Sequence, residues 1–272
     1  MITKEINRNE RVKLVCYLSD TSGMCYSAFD LQNRPAILIF PGGGYSFCSE
    51  VEAEPIALKF LSQGFVCFVL YYSIGEYARF PAPLLDAAWA VKTIRDNASE
   101  FGINPEKLSV CGFSAGGHLA ASISTMYNKD ELLQSELNIM PDEVRPNLSV
   151  LCYPVISGVE DTHLGSFYNL AGTDTPEHDT LVNLSCEYYI NEKTPPAFIW
   201  HTANDATVPV INSLVYAEAL SVNKVPFELH IFDDGAHGLA TGDIITKEKN
   251  YKFKDWTEKA AEFIMKTLDI YE

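Results

Sequence analysis

A chain of 272 residues that is 47% hydrophobic can bury the core of one large α/β domain or two small ones. Its formal charge of −16 argues against nucleic acid and anionic membrane surfaces as partners. The sequence has no run of about 18 apolar residues, so no transmembrane helix is expected. The start, Met1 to Arg8, is polar and lacks the apolar centre of a signal peptide, so the expected location is cytoplasmic. Seven cysteines agree with a reducing compartment: they are odd in number, scattered, and form neither C-x-x-C nor a Cys/His cluster. Cys67, Cys111 and Cys152 lie in apolar runs and read as small buried hydrophobes.

In chain order, Val12 to Leu18 alternates and reads as an edge strand. Ala36 to Phe40 is continuously apolar, as expected of a strand buried on both faces, and stops at Pro41-Gly42-Gly43-Gly44-Tyr45. Glu54 to Ser62 reads as a helix, Phe65 to Tyr71 as a second buried strand, and Pro83 to Asn97 as an amphipathic helix. Asn104-Pro105-Glu106 forms a turn into the strand Leu108 to Cys111. Further strands are expected at Leu148 to Tyr153, Ala197 to Thr202 and Phe227 to Phe232. Helices are expected at Ile211 to Val222 and Phe253 to Leu268. Strands alternating with helices imply a mostly parallel sheet with helices on both faces, and a ligand site beyond the C-terminal strand ends. No linker or repeat divides the chain, so residues 1–272 read as one domain. Gly158 to Lys193 has weak periodicity and is expected to pack over the site as a small lid.

Gly112-Phe113-Ser114-Ala115-Gly116 is G-x-S-x-G between a β-rich apolar run and a helix-forming one. That context makes it a candidate nucleophile elbow, in which a tight turn needs glycine on either side of the serine. A glycine-rich βα loop with an incidental serine is the alternative. Three more strand ends bear on the choice. The triple glycine can bring backbone N–H groups close to a developing oxyanion, so Gly43, Gly44 and Ala115 form the candidate oxyanion hole. Asp205 follows the strand ending at Thr202 and can orient an imidazole, although a lone Asp can equally cap a turn. His237, on a glycine-flanked loop past the last expected strand, is the candidate general base. Of the six histidines, His118 is expected to pack or hydrogen-bond beneath the site and His201 is a weaker second base. His163, His178 and His230 read as structural. Tyr45 and Val208 are candidate substrate contacts.

The order Ser114, Asp205, His237 is that of α/β-hydrolases, and the chain resembles that superfamily over nearly its whole length. More narrowly it resembles esterases related to hormone-sensitive lipase and the carbohydrate acetyl esterases of acetyl-xylan-esterase type. The residues carrying the narrower likeness are Pro41 to Tyr45, Glu52 to Pro55, Pro81 to Ala87, Gly112 to Ala120, Tyr153 to Ser157, Asp205 to Val210 and Gly235 to Leu239. One departure is Pro41, where lipase-like relatives have a histidine that braces the oxyanion loop, so the brace must come from elsewhere. Another is Asn204-Asp205, where many relatives have adjacent acids, and this points to Asp205. The resemblance implies a serine esterase acting through an acyl-enzyme on short-chain, chiefly acetyl, esters of sugars or xylo-oligosaccharides, with no metal or organic cofactor. An arylformamidase or a serine peptidase of the same fold, or a hydrolase-fold binding protein without activity, are the competing readings. The expected partner is a small-molecule ester such as an acetylated carbohydrate; a homo-oligomer is left open.

Overall fold

The apolar runs become strands buried on both faces. A computed structural model describes residues 1–20, 33–128, 130–243 and 253–270. In it β1 (Ile2–Asn7), β2 (Lys13–Leu18), β3 (Arg34–Phe40), β4 (Val66–Tyr71), β5 (Ile103–Phe113), β6 (Leu148–Cys152), β7 (Ala197–Thr202) and β8 (Phe227–Phe232) form one sheet. Its order is β1-β2-β4-β3-β5-β6-β7-β8. The pairs β1–β2 and β2–β4 are antiparallel and the remaining pairs are parallel.

Side chains alternate across the sheet, so each buried strand feeds two cores. Leu38, Phe68 and Val110 face one side with Leu84, Val91 and Leu119, whereas Ile37, Ile39 and Val69 face the other with Phe60, Trp256 and Ile264. Helices α1 (Glu54–Ser62), α2 (Ala82–Asp96), α3 (Ala98–Phe101), α4 (Ala115–Thr125), α5 (Asp130–Leu137), α6 (Leu164–Ala171), α7 (His178–Leu184), α8 (Ile211–Val222) and α9 (Trp256–Thr267) supply those layers. Every residue of α4 is buried, which suits its run of Ala, Gly and Ser. The register sets Gly112 beside Phe40 on one flank and Leu151 on the other, so the turn after β5 emerges between two neighbouring strand ends.

Two expectations are corrected. The strand at Val12 to Leu18 is not an edge, because β1 pairs along its outer side; β1 is charged and exposed, so no buried stripe marks it. The turn at Asn104-Pro105-Glu106 lies inside β5. Ile103 pairs with Arg34 and Leu108 with Ala36, so the intervening residues bulge out, and Asn104 Oδ1 accepts the Glu106 N–H. The segment from Gly158 to Lys193, expected as a small lid, carries the short helices α6 and α7. Among the described residues, no helix is long and apolar enough to cross a membrane.

Candidate active site

The turn after β5 holds Ser114 at φ 52° and ψ −118°, a conformation that side chains rarely adopt. Three backbone hydrogen bonds hold it there. Its N–H donates to Cys152 O at 3.0 Å, and its C=O accepts His118 N–H at 3.1 Å and Val155 N–H at 3.0 Å. The flanking glycines are steric requirements. A Cβ on Gly112 would lie 2.1 Å from Gly116 O, and one on Gly116 would lie 2.1 Å from Phe40 O. Ser114 is also the N-cap of α4, so its hydroxyl stands at the helix end with unpaired N–H groups.

Ser114, His237 and Asp205, which are far apart in sequence, form one hydrogen-bonded chain. His237 Nε2 lies 2.8 Å from Ser114 Oγ, and His237 Nδ1 lies 2.6 Å from Asp205 Oδ2. An ionised carboxylate can only accept, so Nδ1 carries the imidazole proton and Nε2 is free to accept from the serine. Asp205 follows β7 and His237 follows β8, and the parallel register brings both loops to the edge beside the elbow. The Asp205 side chain is fully buried. Burial alone would raise its pKa, but hydrogen bonds from His201, His237 and the Val208 N–H outweigh that and hold the carboxyl well below the usual range. Asp205 Oδ1 accepts the N–H groups of Thr207 and Val208, both at 2.9 Å.

His201 is not a second base over the serine. It is fully buried, with Nε2 2.9 Å from Val208 O and 3.4 Å from Asp205 Oδ2, and with Nδ1 2.8 Å from Ser213 Oγ. His118 packs beneath the elbow, as its helix position suggested. Its Nε2–H donates to Leu184 O and its Nδ1 accepts from Tyr45 O–H, each at 2.8 Å. Burial depresses its pKa to about 4, so the ring is neutral. Tyr45 is therefore corrected. It is 1% exposed, its hydroxyl is taken up by His118, and its ring packs against Tyr72 rather than facing the cleft. Val208 is corrected likewise: its side chain is buried, and it is the neighbouring Thr207 that reaches the cleft.

The triple glycine curls past the serine. Gly43 has φ 126° and Gly44 φ 61°, and a Cβ on Gly43 would lie 2.1 Å from Phe47 O. Among the described residues, the N–H groups of Gly43, Gly44 and Ala115 find no acceptor within the protein. The loop is held without the histidine that Pro41 replaces. Tyr72 O–H donates to Pro41 O at 2.5 Å, Asn169 Nδ2 donates to Gly44 O at 2.8 Å, and Gly42 N–H donates to Glu52 Oε2 at 2.8 Å. The loop borders a cleft of about 430 Å³, bounded by Gly43, Gly44, Ser114 and His237 and walled by Phe47, Glu52, Thr207, His163, Gly165 and Asn169. His163, read as structural, thus stands at the cleft. Its Nδ1 lies 2.9 Å from Ser166 Oγ, and burial lowers its pKa. Asn169 and Phe47 carried no sequence signal, and Glu52 stood in a recognised segment without a role. His178, on exposed α7, and His230, paired with Glu228 at 2.6 Å, stand outside this cleft.

The parallel sheet with a serine elbow between its central strands is the α/β-hydrolase fold. Residues 26–220 match the family described as BD-FAE, and the chain belongs to that family. It is 39% identical to the acetyl ester-xyloside bifunctional hydrolase of Caldicellulosiruptor lactoaceticus, with TM-score 0.81 over 95% of this chain and 88% of that one. MGS-M1, an α/β-hydrolase enzyme from a Medee basin deep-sea metagenome library, is 37% identical, with TM-score 0.78 over 99% of this chain and 98% of that one. The acetylxylan esterase of Xylanibacter ruminicola is 33% identical over 88% of this chain and 46% of its own length. The chain spans a third to a half of the length of the curated relatives that it resembles at 33% identity or above.

Proposed function

We propose that the protein is a serine carboxylesterase that removes short acyl groups, chiefly acetyl, from sugars or xylo-oligosaccharides. The observation that carries this reading is the Asp205–His237–Ser114 chain, at 2.6 and 2.8 Å, opening into a cleft lined by Gly43 and Gly44, whose N–H groups, like that of Ala115 beside the serine, have no acceptor among the described residues. In this reading His237 Nε2 takes the Ser114 proton as Oγ attacks the ester carbonyl. Negative charge grows on the carbonyl oxygen, where the three N–H groups and the N-terminus of α4 stabilise it. His237 then protonates the departing alcohol, and a second cycle in which water attacks the acyl-enzyme releases the carboxylic acid and restores the Ser114 hydroxyl. Asp205 keeps the imidazole in the Nδ1–H tautomer and stabilises its charged form.

Two things support a sugar alcohol. Two of the similar hydrolases just named act, by their names, on acetyl esters and xylosides and on acetylxylan. Beside the cleft, and sharing Asn169 with it, lies a hollow of about 310 Å³ lined by Glu76, Arg79, Tyr168 and Asp174. An aromatic ring among charged hydrogen-bonding groups suits a sugar ring, with its apolar faces and hydroxyl rim.

The test is a panel of acetylated xylo-oligosaccharides, acetylated monosaccharides, acetyl to octanoyl aryl esters, and N-formylkynurenine as the arylformamidase probe. The expected result is preference for acetyl esters, with acetylated xylo-oligosaccharides used best. A steep rise in rate toward octanoyl esters contradicts the acyl assignment, and preference for the formamide contradicts the ester assignment.

A further inference from the structure

Glu52 is a carboxylate where burial should be unfavourable. It is 3% exposed, and burial pushes its pKa above the usual range. Among the described residues no Lys or Arg pairs with it; its partners are neutral donors. Those partners belong to different parts of the site. Oε2 accepts the Gly42 N–H at 2.8 Å, directly before the two glycines of the oxyanion loop. Oε1 accepts the Tyr153 O–H at 2.8 Å. The same Tyr153 oxygen accepts the Ala240 N–H at 2.9 Å, three residues past His237, and Ala240 O in turn accepts Trp256 Nε1–H at 2.8 Å. The Tyr153 ring meets the His237 ring edge-on, with centroids 5.0 Å apart. Tyr153 itself is held at φ 36°, just past the end of β6.

One carboxylate therefore ties the loop after β3 to the loop after β8 by way of the strand end between them. Spacing there is tight. A Cβ on Gly42 would lie 2.7 Å from Glu52 Oε2, 2.8 Å from Phe113 O and 3.1 Å from Ser114 Cβ. Gly42 thus stands between the carboxylate and the nucleophile turn. The Gly42 N–H is thereby committed to Glu52, whereas among the described residues those of Gly43 and Gly44 have no acceptor. Glutamine cannot replace this arrangement fully: if its oxygen takes the Gly42 N–H, its NH₂ leaves the Tyr153 O–H without the carboxylate acceptor.

We propose that Glu52 is a positioning residue: through Gly42 and Tyr153 it fixes the oxyanion loop relative to the His237 loop. The proposal rests on the esterase reading above. It places no reacting atom on Glu52, whose effect passes through the N–H groups of Gly43 and Gly44. Misplaced donors weaken binding of the tetrahedral oxyanion more than binding of the planar ester, so kcat should fall while KM holds.

The experiment compares wild type, Glu52→Gln, Glu52→Ala and Tyr153→Phe. It measures the thermal midpoint, kcat and KM on p-nitrophenyl acetate, and the inhibition constant of an aryl boronic acid, which forms a tetrahedral adduct on a nucleophilic serine. Expected are a fall in kcat of about 10²-fold for Glu52→Ala, a smaller fall for Glu52→Gln and for Tyr153→Phe, and KM within about threefold of wild type. Boronate affinity should fall in step with kcat in the variants that stay folded at the assay temperature. If Glu52→Ala does not fold, Glu52→Gln and Tyr153→Phe decide the question. Folded variants with wild-type kcat and wild-type boronate affinity overturn the proposal. So does a loss of activity that only follows the fraction unfolded. A wild-type protein that neither hydrolyses acetyl esters nor binds the boronate overturns the underlying esterase reading instead.

Discussion

At the residue scale, the charge states follow from partners that the chain order hides. Asp205 is ionised because it meets two imidazoles and two backbone N–H groups. Replacing it with Asn leaves the packing nearly unchanged but lets the amide donate, which turns the His237 tautomer the wrong way. We expect Asp205→Asn to lower kcat by about 10³- to 10⁴-fold with little change in KM, measured on p-nitrophenyl acetate. His118 gives a pH prediction. Its folded pKa, depressed to about 4 by burial, lies below the unfolded value of about 6.5, so the unfolded chain binds the proton more readily. The stability gained from keeping the ring neutral is complete above about pH 6.5 and is lost as pH falls toward about 4. Thermal midpoints should decline over that window, and His118→Gln, which keeps one donor and one acceptor, should flatten the decline; an unchanged slope contradicts the assignment. That Ser114, Asp205 and His237 would meet was legible because each follows an expected strand and their chain order is that of α/β-hydrolases. The side chains of Tyr45 and Val208 were not, since nothing in the local sequence tells which way a side chain points out of a turn.

At the element scale, the nucleophile turn depends on backbone approach, and the sequence announces this through glycine. A Cβ on Gly112 or Gly116 would meet backbone oxygen at 2.1 Å, of Gly116 in α4 and of Phe40 in β3, so neither neighbour can yield without moving the helix or the strand. Gly116→Ala should destabilise the protein by several kcal/mol or prevent folding, by analogy with severe overpacking. Gly64, with φ 96° and no atom within 4 Å of an added Cβ, is the control, and Gly64→Ala should cost only about 1 kcal/mol from its backbone conformation. Urea denaturation checks both. The buried strands were readable because burial on both faces leaves a continuous apolar run. Exposed β1 was not, since its pairing with β2 comes from backbone hydrogen bonds that leave no hydrophobic pattern. The short helices α6 and α7 span about two turns each, too few to display a period, and with them His163 and Asn169 escaped notice as cleft residues.

At the scale of the whole molecule, the sheet collects four strand-end loops at one edge, and the segment between β6 and β7 contributes His163, Gly165 and Asn169 to the cleft, with Asn169 also lining the neighbouring hollow. If that hollow takes sugar rings, Arg79→Ala and Tyr168→Ala should lower kcat/KM on acetylated xylo-oligosaccharides by about tenfold or more. Both should leave p-nitrophenyl acetate within about twofold, because the small ester does not extend past Asn169. Equal effects on both substrates contradict that role. All these assignments depend on Ser114 being the nucleophile, and one measurement addresses this directly. Wild type and Ser114→Ala are treated with a fluorophosphonate, digested and mapped by mass spectrometry, and their acetyl-ester hydrolysis is measured in parallel. The account predicts a single adduct on the peptide carrying Ser114 in wild type, no adduct in the variant, and loss of hydrolysis by about 10³-fold or more. An adduct on another residue, or a Ser114→Ala protein that hydrolyses acetyl esters at the wild-type rate, contradicts it.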